Sequence, residues 1–116
     1  ISGLYALDQA GTVAAGLTNN RGALRRVNKV EFLLHNDPVQ VGGVGFGFVC
    51  IKSGVFEGME RPWFLINRVK LEEGRELRVN VGEDYSWCAS ASRSGFKIFI
   101  DPEVKVKHHK ETVYEV

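Results

Sequence analysis

The chain has 116 residues, of which 44% are hydrophobic, so it is long enough to bury one core and too short for two ordinary domains. Its 15 basic and 14 acidic residues give a formal net charge of +1, which excludes a strong electrostatic attraction to nucleic acid or to an anionic membrane. Two cysteines make no disulfide framework, and no apolar run approaches the roughly 18 residues of a membrane span. We therefore expect a single domain over residues 1–116 in a cytoplasmic protein, with Cys50 and Cys88 reduced and buried.

The first third of the chain predicts two strands separated by a loop. Residues 1–7 form a short apolar run that is typical of a buried strand. Residues 8–22 are rich in glycine and asparagine and show little periodicity, which favours an irregular loop. Apolar side chains then alternate over residues 28–34, and this alternation predicts an edge-type strand.

The stretch 41–51 predicts a strand with an unusual glycine face. One face of that strand consists of Gly43, Gly45 and Gly47, and the other consists of apolar side chains. Such a face leaves room for a ligand or another backbone to come close, although a twisted strand crossed by a helix explains it equally well. A short helix is expected next, near 53–58.

The sequence predicts a short helix over residues 84–94, with an acidic pair at its start and Gly95 as its stop. Glu83 and Asp84 stand at its start, where the free N–H groups and the helix dipole stabilise carboxylates. Asp84 is therefore either a structural cap of the helix or a general base. The spacing of the residues leaves both interpretations open.

Two further strands are predicted at 96–100 and 103–109, separated by the break Asp101-Pro102. In the second strand His108 continues the apolar face and His109 the basic face, because successive side chains alternate. A histidine at the end of an inward face is a candidate metal ligand or general base. A hydrogen-bonded core histidine is the competing interpretation.

Two blocks of motifs occur in a fixed order along the chain. The first block is Val44-Gly45-Phe46-Gly47-Phe48 followed by Arg61-Pro62-Trp63-Phe64. The second block is Gly82-Glu83-Asp84-Tyr85-Ser86-Trp87-Cys88, Gly95-Phe96-Lys97-Ile98, Asp101-Pro102 and Val104-Lys105-Val106-Lys107-His108-His109. Their order resembles the C-terminal half of GT-A fold glycosyltransferases, especially the family 2-like enzymes of bacteria and phages. The resemblance implies an α/β fold with a mixed sheet and short helices.

The resemblance also implies roles for individual residues. Asp84 matches the acid that acts as general base on the acceptor hydroxyl, with Glu83 as its neighbour. His108 matches a histidine that completes a metal site. The residues implied to bind the acceptor are Gly45, Phe46, Gly47, Trp63 and Phe64. For Trp63 and Phe64, packing in the core is an equally good explanation.

The cofactor and partners implied by the resemblance are a divalent cation, Mn²⁺ or Mg²⁺, a nucleotide-sugar donor and an acceptor hydroxyl. The chain contains no Asp-x-Asp motif, so we expect the nucleotide-binding half of such an enzyme to be missing and this chain alone to be inactive. The sheet edge left uncovered then predicts a homo-oligomer. Two other functions stay open: a non-catalytic binding or assembly module derived from the same fold, and a nucleotide-binding regulatory domain.

Overall fold

The computed structural model describes residues 1–18, 24–64, 68–72, 76–80 and 82–109, and in this part of the chain two small β-sheets combine with one α-helix. The strands are β1 (Ser2–Leu4), β2 (Thr12–Thr18), β3 (Leu24–Asn28), β4 (Val39–Val41), β5 (Gly43–Val44), β6 (Arg68–Glu72), β7 (Glu76–Asn80) and β8 (Ile98–Lys105), and the helix is α1 (Glu83–Arg93). The predicted α/β class is therefore confirmed.

The smaller sheet has three strands in the order β1-β8-β4. Its central strand β8 runs parallel to β1 and antiparallel to β4. Ile100 of β8 is fully buried, because the central strand directs alternate side chains into the core. The predicted strand at 1–7 is confirmed for its first part, β1.

The larger sheet has five strands in the order β5-β2-β3-β6-β7. The strand β2 runs antiparallel to both β5 and β3, whereas β3 and β6 are parallel. Three consecutive residues of β2, Val13, Ala14 and Ala15, are buried, so both faces of this strand are covered. The hydrophobic core joins β2 and β5 to α1 and to the central strand β8.

The helix α1 follows Gly82, whose backbone is extended, and it ends before Gly95. Gly95 has a φ of +91°, a conformation that glycine adopts without strain. The N–H of Phe96 closes the end of the helix by donating to the carbonyl oxygen of Ala91 at 3.0 Å. The predicted helix at 84–94, with its stop at Gly95, is thus confirmed.

The predicted loop at 8–22 is wrong for residues 12–18, which form β2, while residues 19–22 lie outside the described ranges. The strand has no alternation of polar and apolar residues because both of its faces are buried. Its composition of small residues, Ala14, Ala15 and Gly16 among them, gives it a weak intrinsic preference for strand. Tertiary packing therefore overrides the local signal.

The predicted strand at 28–34 is also wrong, because β3 ends at Asn28 and a 3-10 helix follows at Lys29–Glu31. The side chain of Asn28 accepts a hydrogen bond from the N–H of Val30 at 3.2 Å. The carboxylate of Glu31 accepts from the N–H of Asn28, also at 3.2 Å. This reciprocal capping fixes a helical turn where the apolar pattern predicted a strand.

The strand predicted at 41–51 is interrupted, since only β4 and β5 are extended and a turn follows them. The helix predicted at 53–58 is absent, because these residues form a series of turns. Gly54 has a φ of +94°, which a right-handed helix does not allow. Cys50, predicted to be buried, is exposed, whereas Cys88 is buried as predicted.

The strands predicted at 96–100 and 103–109 are one strand, β8, which continues through the predicted break and ends at Lys105. The break is visible in the pairing instead. Gly3 pairs with Asp101, whereas the next residue, Leu4, pairs with Lys105. Pro102 is buried and lies in this slip, where the strand tolerates a residue that has no N–H to donate to its neighbour.

Candidate functional site

An open groove of about 510 Å³ lies beside the N-terminus of α1. Of the residues that the structure describes, those that line it are Phe46, Phe64, Gly82, Glu83 and Asp84. Four of these five were predicted from the sequence to take part in catalysis or acceptor binding. The structure thus brings the acidic pair of the second motif block next to two aromatic residues of the first.

The acidic side of the groove is positioned by the first turn of α1. Gly82 precedes this turn and has no side chain that could cap it. Asp84 compensates, because its Oδ1 accepts a hydrogen bond from the N–H of Tyr85 at 2.8 Å. Asp84 is partly buried and Glu83 is exposed. The bond to Tyr85 engages Oδ1, and a carboxylate has a second oxygen that can accept a hydrogen bond or a proton from a ligand.

The aromatic side of the groove belongs to a cluster of five rings, which we call the aromatic cluster. Its members are Phe46, Phe56, Trp63, Phe64 and Trp87. Phe46 stands edge-on to two of the others, with ring centroids 6.2 Å from Phe64 and 5.3 Å from Trp87. Phe64 is 45% exposed, so part of its ring is available to a ligand.

Trp63, which the resemblance assigns to acceptor binding, packs inside the aromatic cluster and does not line the groove. Its ring centroid lies 4.9 Å from that of Phe56. Its indole N–H donates to the carbonyl oxygen of Met59 at 3.3 Å, and the guanidinium of Arg61 lies 4.7 Å from the ring centroid. Trp63 therefore has a supporting position beside Phe64, its neighbour in the chain.

The glycine face is occupied by two tyrosine side chains. A Cβ added at Gly43 would lie 2.7 Å from the ring of Tyr85. A Cβ at Gly45 or Gly47 would lie 2.5 or 2.8 Å from the hydroxyl oxygen of Tyr5. The close approach predicted from the sequence is thus made by side chains of the protein, and only glycine leaves room for them.

His108, the predicted metal ligand, lies outside the groove lining. The strand β8 ends at Lys105 and Val104 is 38% exposed, so the predicted inward face does not reach His108, which is exposed. Its ring meets that of Tyr5 edge-on at 5.8 Å. Within the ranges that the structure describes, no three His, Cys, Asp or Glu side chains come together to hold a metal ion. The described residues therefore assemble no such centre, and the predicted Mn²⁺ or Mg²⁺ site stays a prediction.

Two ionisable groups on α1 are protonated at neutral pH. Burial raises the pKa of Tyr85 to about 12, and the carboxylate of Asp84 adds to the shift. Burial likewise raises the pKa of the Cys88 thiol to about 11. Neither group is a base or a nucleophile near pH 7, so among the described residues that line the groove the candidate bases are Glu83 and Asp84.

Sequence reasoning missed the structural neighbours of the groove, namely Tyr5, Phe56 and Trp87. Tyr5 lies more than thirty residues before the glycines that it contacts. The alternating glycines were a signal that some bulky group comes close, but the sequence does not name that group. For Phe56 and Trp87, the only sequence signal is that large aromatic side chains tend to pack together.

Comparisons with protein families, curated proteins and solved structures found no match for this chain. Among the helices in the described ranges, none is long and apolar enough to cross a membrane.

Proposed function

We propose that the groove binds an acceptor sugar and that the chain is the acceptor-binding part of a GT-A fold glycosyltransferase. One observation carries the proposal: Glu83 and Asp84 line a single open groove together with the rings of Phe46 and Phe64. A sugar ring has apolar C–H faces and hydroxyl groups at its edge. Aromatic rings suit the first and carboxylates the second.

The reaction assigned to this groove is transfer of a glycosyl group from a nucleotide-sugar donor to a hydroxyl of the acceptor. Asp84 takes the proton of the acceptor hydroxyl while the oxygen of that hydroxyl forms a bond to the anomeric carbon of the donor. The bond from the anomeric carbon to the nucleoside diphosphate breaks, and the diphosphate keeps the electron pair. Asp84 suits this role because the bond from Tyr85 N–H holds one carboxylate oxygen in place.

Glu83 has a different part in the proposal. It is exposed at the groove and next to Asp84 in the chain, so it can accept a hydrogen bond from a second hydroxyl of the acceptor. The divalent cation implied by the resemblance belongs to the proposal as well. No step is assigned through it, because no group of the described residues assembles to hold it.

The test is the substitution Asp84→Asn, assayed in the full natural chain that carries this sequence. Transfer from a panel of nucleotide sugars to methyl glycosides is measured with and without Mn²⁺. We expect a loss of about 10²- to 10⁴-fold, the usual contribution of a general base. The fold should persist, because the amide oxygen of asparagine can still accept the bond from Tyr85 N–H.

The matched control is Asp37→Asn, which makes the same chemical change at an exposed residue outside the groove lining. It should leave transfer unchanged. Transfer by Asp84→Asn at the wild-type rate would contradict the assignment of the base. If the wild-type chain binds methyl glycosides but transfers no sugar, the non-catalytic binding module becomes the better description of the groove.

A further inference from the structure

We infer that Tyr5 is a positioning residue that sets the orientation of Phe46 at the groove, an inference that rests on the proposed binding of a sugar there. Tyr5 does not line the groove itself. It acts through the turn that follows β5, which carries Phe46 between Gly45 and Gly47. Three sets of contacts support this role.

The first set fixes Tyr5 relative to β2. The carbonyl oxygen of Tyr5 accepts a hydrogen bond from the N–H of Ala14 at 3.3 Å. The carbonyl oxygen of Ala14 in turn accepts from the N–H of Gly45 at 2.8 Å. Tyr5 and the start of the turn are therefore attached to the same buried residue of β2.

The second set joins the side chain of Tyr5 to the far side of Phe46. The N–H of Gly47 donates to the Tyr5 hydroxyl oxygen at 3.0 Å. A Cβ at Gly45 would lie 2.5 Å from the same oxygen, so the hydroxyl sits directly against the backbone on both sides of Phe46. The turn is thus held at Gly45 by the backbone of β2 and at Gly47 by a side chain.

The third set shows what depends on the turn. Phe46 lines the groove together with Asp84, and its ring stands edge-on to those of Phe64 and Trp87. Edge-on ring contacts are directional, so a rotation of the backbone at residue 46 would change the groove surface. The ring of Tyr5 also contacts that of His108, with the two ring centroids 5.8 Å apart. Tyr5 therefore connects the exposed histidine with the aromatic side of the groove.

The experiment uses Tyr5→Phe, which keeps the ring and removes the hydroxyl that Gly47 needs. Three quantities are measured. They are the NMR ring resonances of Phe46 in protein labelled with ¹³C-phenylalanine, the hydrogen-exchange rate of the Gly47 amide, and the affinity for methyl glycosides by titration. We expect the Phe46 resonances to shift, the Gly47 amide to exchange about tenfold faster, and the affinity to fall about three- to tenfold, the effect of one hydrogen bond. Ser94→Ala, which removes the hydroxyl of an exposed residue outside the groove lining, is the control and should change none of these three quantities.

A second variant keeps the test decisive. Gly45→Ala places a Cβ against the Tyr5 hydroxyl, and the next ring atom of Tyr5 is 3.6 Å away. In the Tyr5→Phe background that contact is removed, although Ala14 Cβ at 3.2 Å stays tight. In all three readouts the double variant should therefore resemble Tyr5→Phe. Strictly additive effects of the two substitutions would contradict the contact between the Tyr5 hydroxyl and Gly45.

The outcomes separate this inference from the proposed function. If the wild-type chain binds no glycoside, sugar binding in the groove is wrong, whereas a shift of the Phe46 resonances and faster exchange at Gly47 in Tyr5→Phe still support the role of Tyr5. If the chain binds glycosides and Tyr5→Phe leaves either the Phe46 resonances or the affinity unchanged, the inference is overturned, whereas sugar binding in the groove stands.

Discussion

Among single residues, Tyr85 and Cys88 show most directly how the fold changes chemistry. Both lie on the face of α1 that packs against β5, where Tyr85 fills the space above Gly43 and Cys88 is completely buried. Removing a proton from either would place a negative charge in a site with little water. Folding therefore favours the neutral forms, and the unfolded chain gives up these protons at lower pH than the folded chain.

This difference predicts a loss of stability in alkali. The pKa of Tyr85 rises from 10.0 to about 12 on folding, so its contribution is fully present below pH 10 and is lost as the pH rises from 10 to 12. For Cys88 the corresponding window is pH 9 to about 11. Between pH 8 and pH 11, we expect the free energy of unfolding to fall by about 1 kcal/mol less in Tyr85→Phe than in the wild type. Urea unfolding at both pH values measures this, and equal losses in the two proteins would contradict it.

Among the elements, the short 3-10 helix at Lys29–Glu31 is stabilised mainly by the side chain of Asn28, which precedes it. Asn28 accepts from the N–H of Val30 and donates through Nδ2 to the carbonyl oxygen of Ala10 at 2.8 Å. Glu31 completes the capping box and also pairs with Arg25 at 2.9 Å. Asn28 thus connects the end of β3 with the turn before β2.

We therefore predict that Asn28→Ala lowers the free energy of unfolding by about 1–2 kcal/mol, because it removes a cap and a second hydrogen bond. Asn28→Asp should cost less, since the carboxylate still accepts the bond from Val30 N–H. Asn36→Ala, at an exposed residue between the 3-10 helix and β4, is the control and should change stability little. Thermal unfolding of the three variants decides the matter, and equal effects of Asn28→Ala and Asn36→Ala would show that the cap contributes nothing.

The elements that could be predicted from the sequence are those with local signals. The helix α1 has an acidic pair at its start and Gly95 at its end, and both signals act within a few residues. The strand β2 has no such signal because neighbours from distant parts of the chain cover both of its faces. Residues 28–34 have a misleading signal, since Val30 and Leu34 alternate with Phe32 yet are 60% and 93% exposed.

In the whole molecule, the groove is formed by residues from three separate parts of the chain, at Phe46, at Phe64 and at 82–84. The motif order predicted that Phe46, Phe64, Glu83 and Asp84 belong to one site, and the structure places them around one groove. Local patterns could not show that Tyr5 fills the glycine face or that His108 is exposed at the end of β8. Both facts depend on how distant strands pair, and pairing over long separations leaves no mark on local periodicity.

Self-association stays a prediction, and the structure indicates where to test it. Among the exposed hydrophobic side chains of the described residues, Val30, Leu33 and Leu34 are close in sequence, and Leu34 is 93% exposed. If this segment causes association, Leu34→Lys should lower the apparent mass at high protein concentration. Gln9→Lys adds the same charge at another exposed position and should not. Light scattering over a concentration series measures both, and a wild-type chain that stays monomeric throughout would contradict the prediction.

The aromatic cluster also has an optical consequence. Both tryptophans of the chain belong to it. Trp87 is 4% exposed, and its indole N–H has no hydrogen-bond acceptor among the described residues, so its emission should lie at short wavelength. Trp63 is more exposed and its N–H is hydrogen-bonded, so its emission should lie further to the red. Because Trp87 contacts Phe46 and Trp63 precedes Phe64, each fluorophore lies next to an aromatic residue of the groove, and their spectrum should respond when a ligand occupies it.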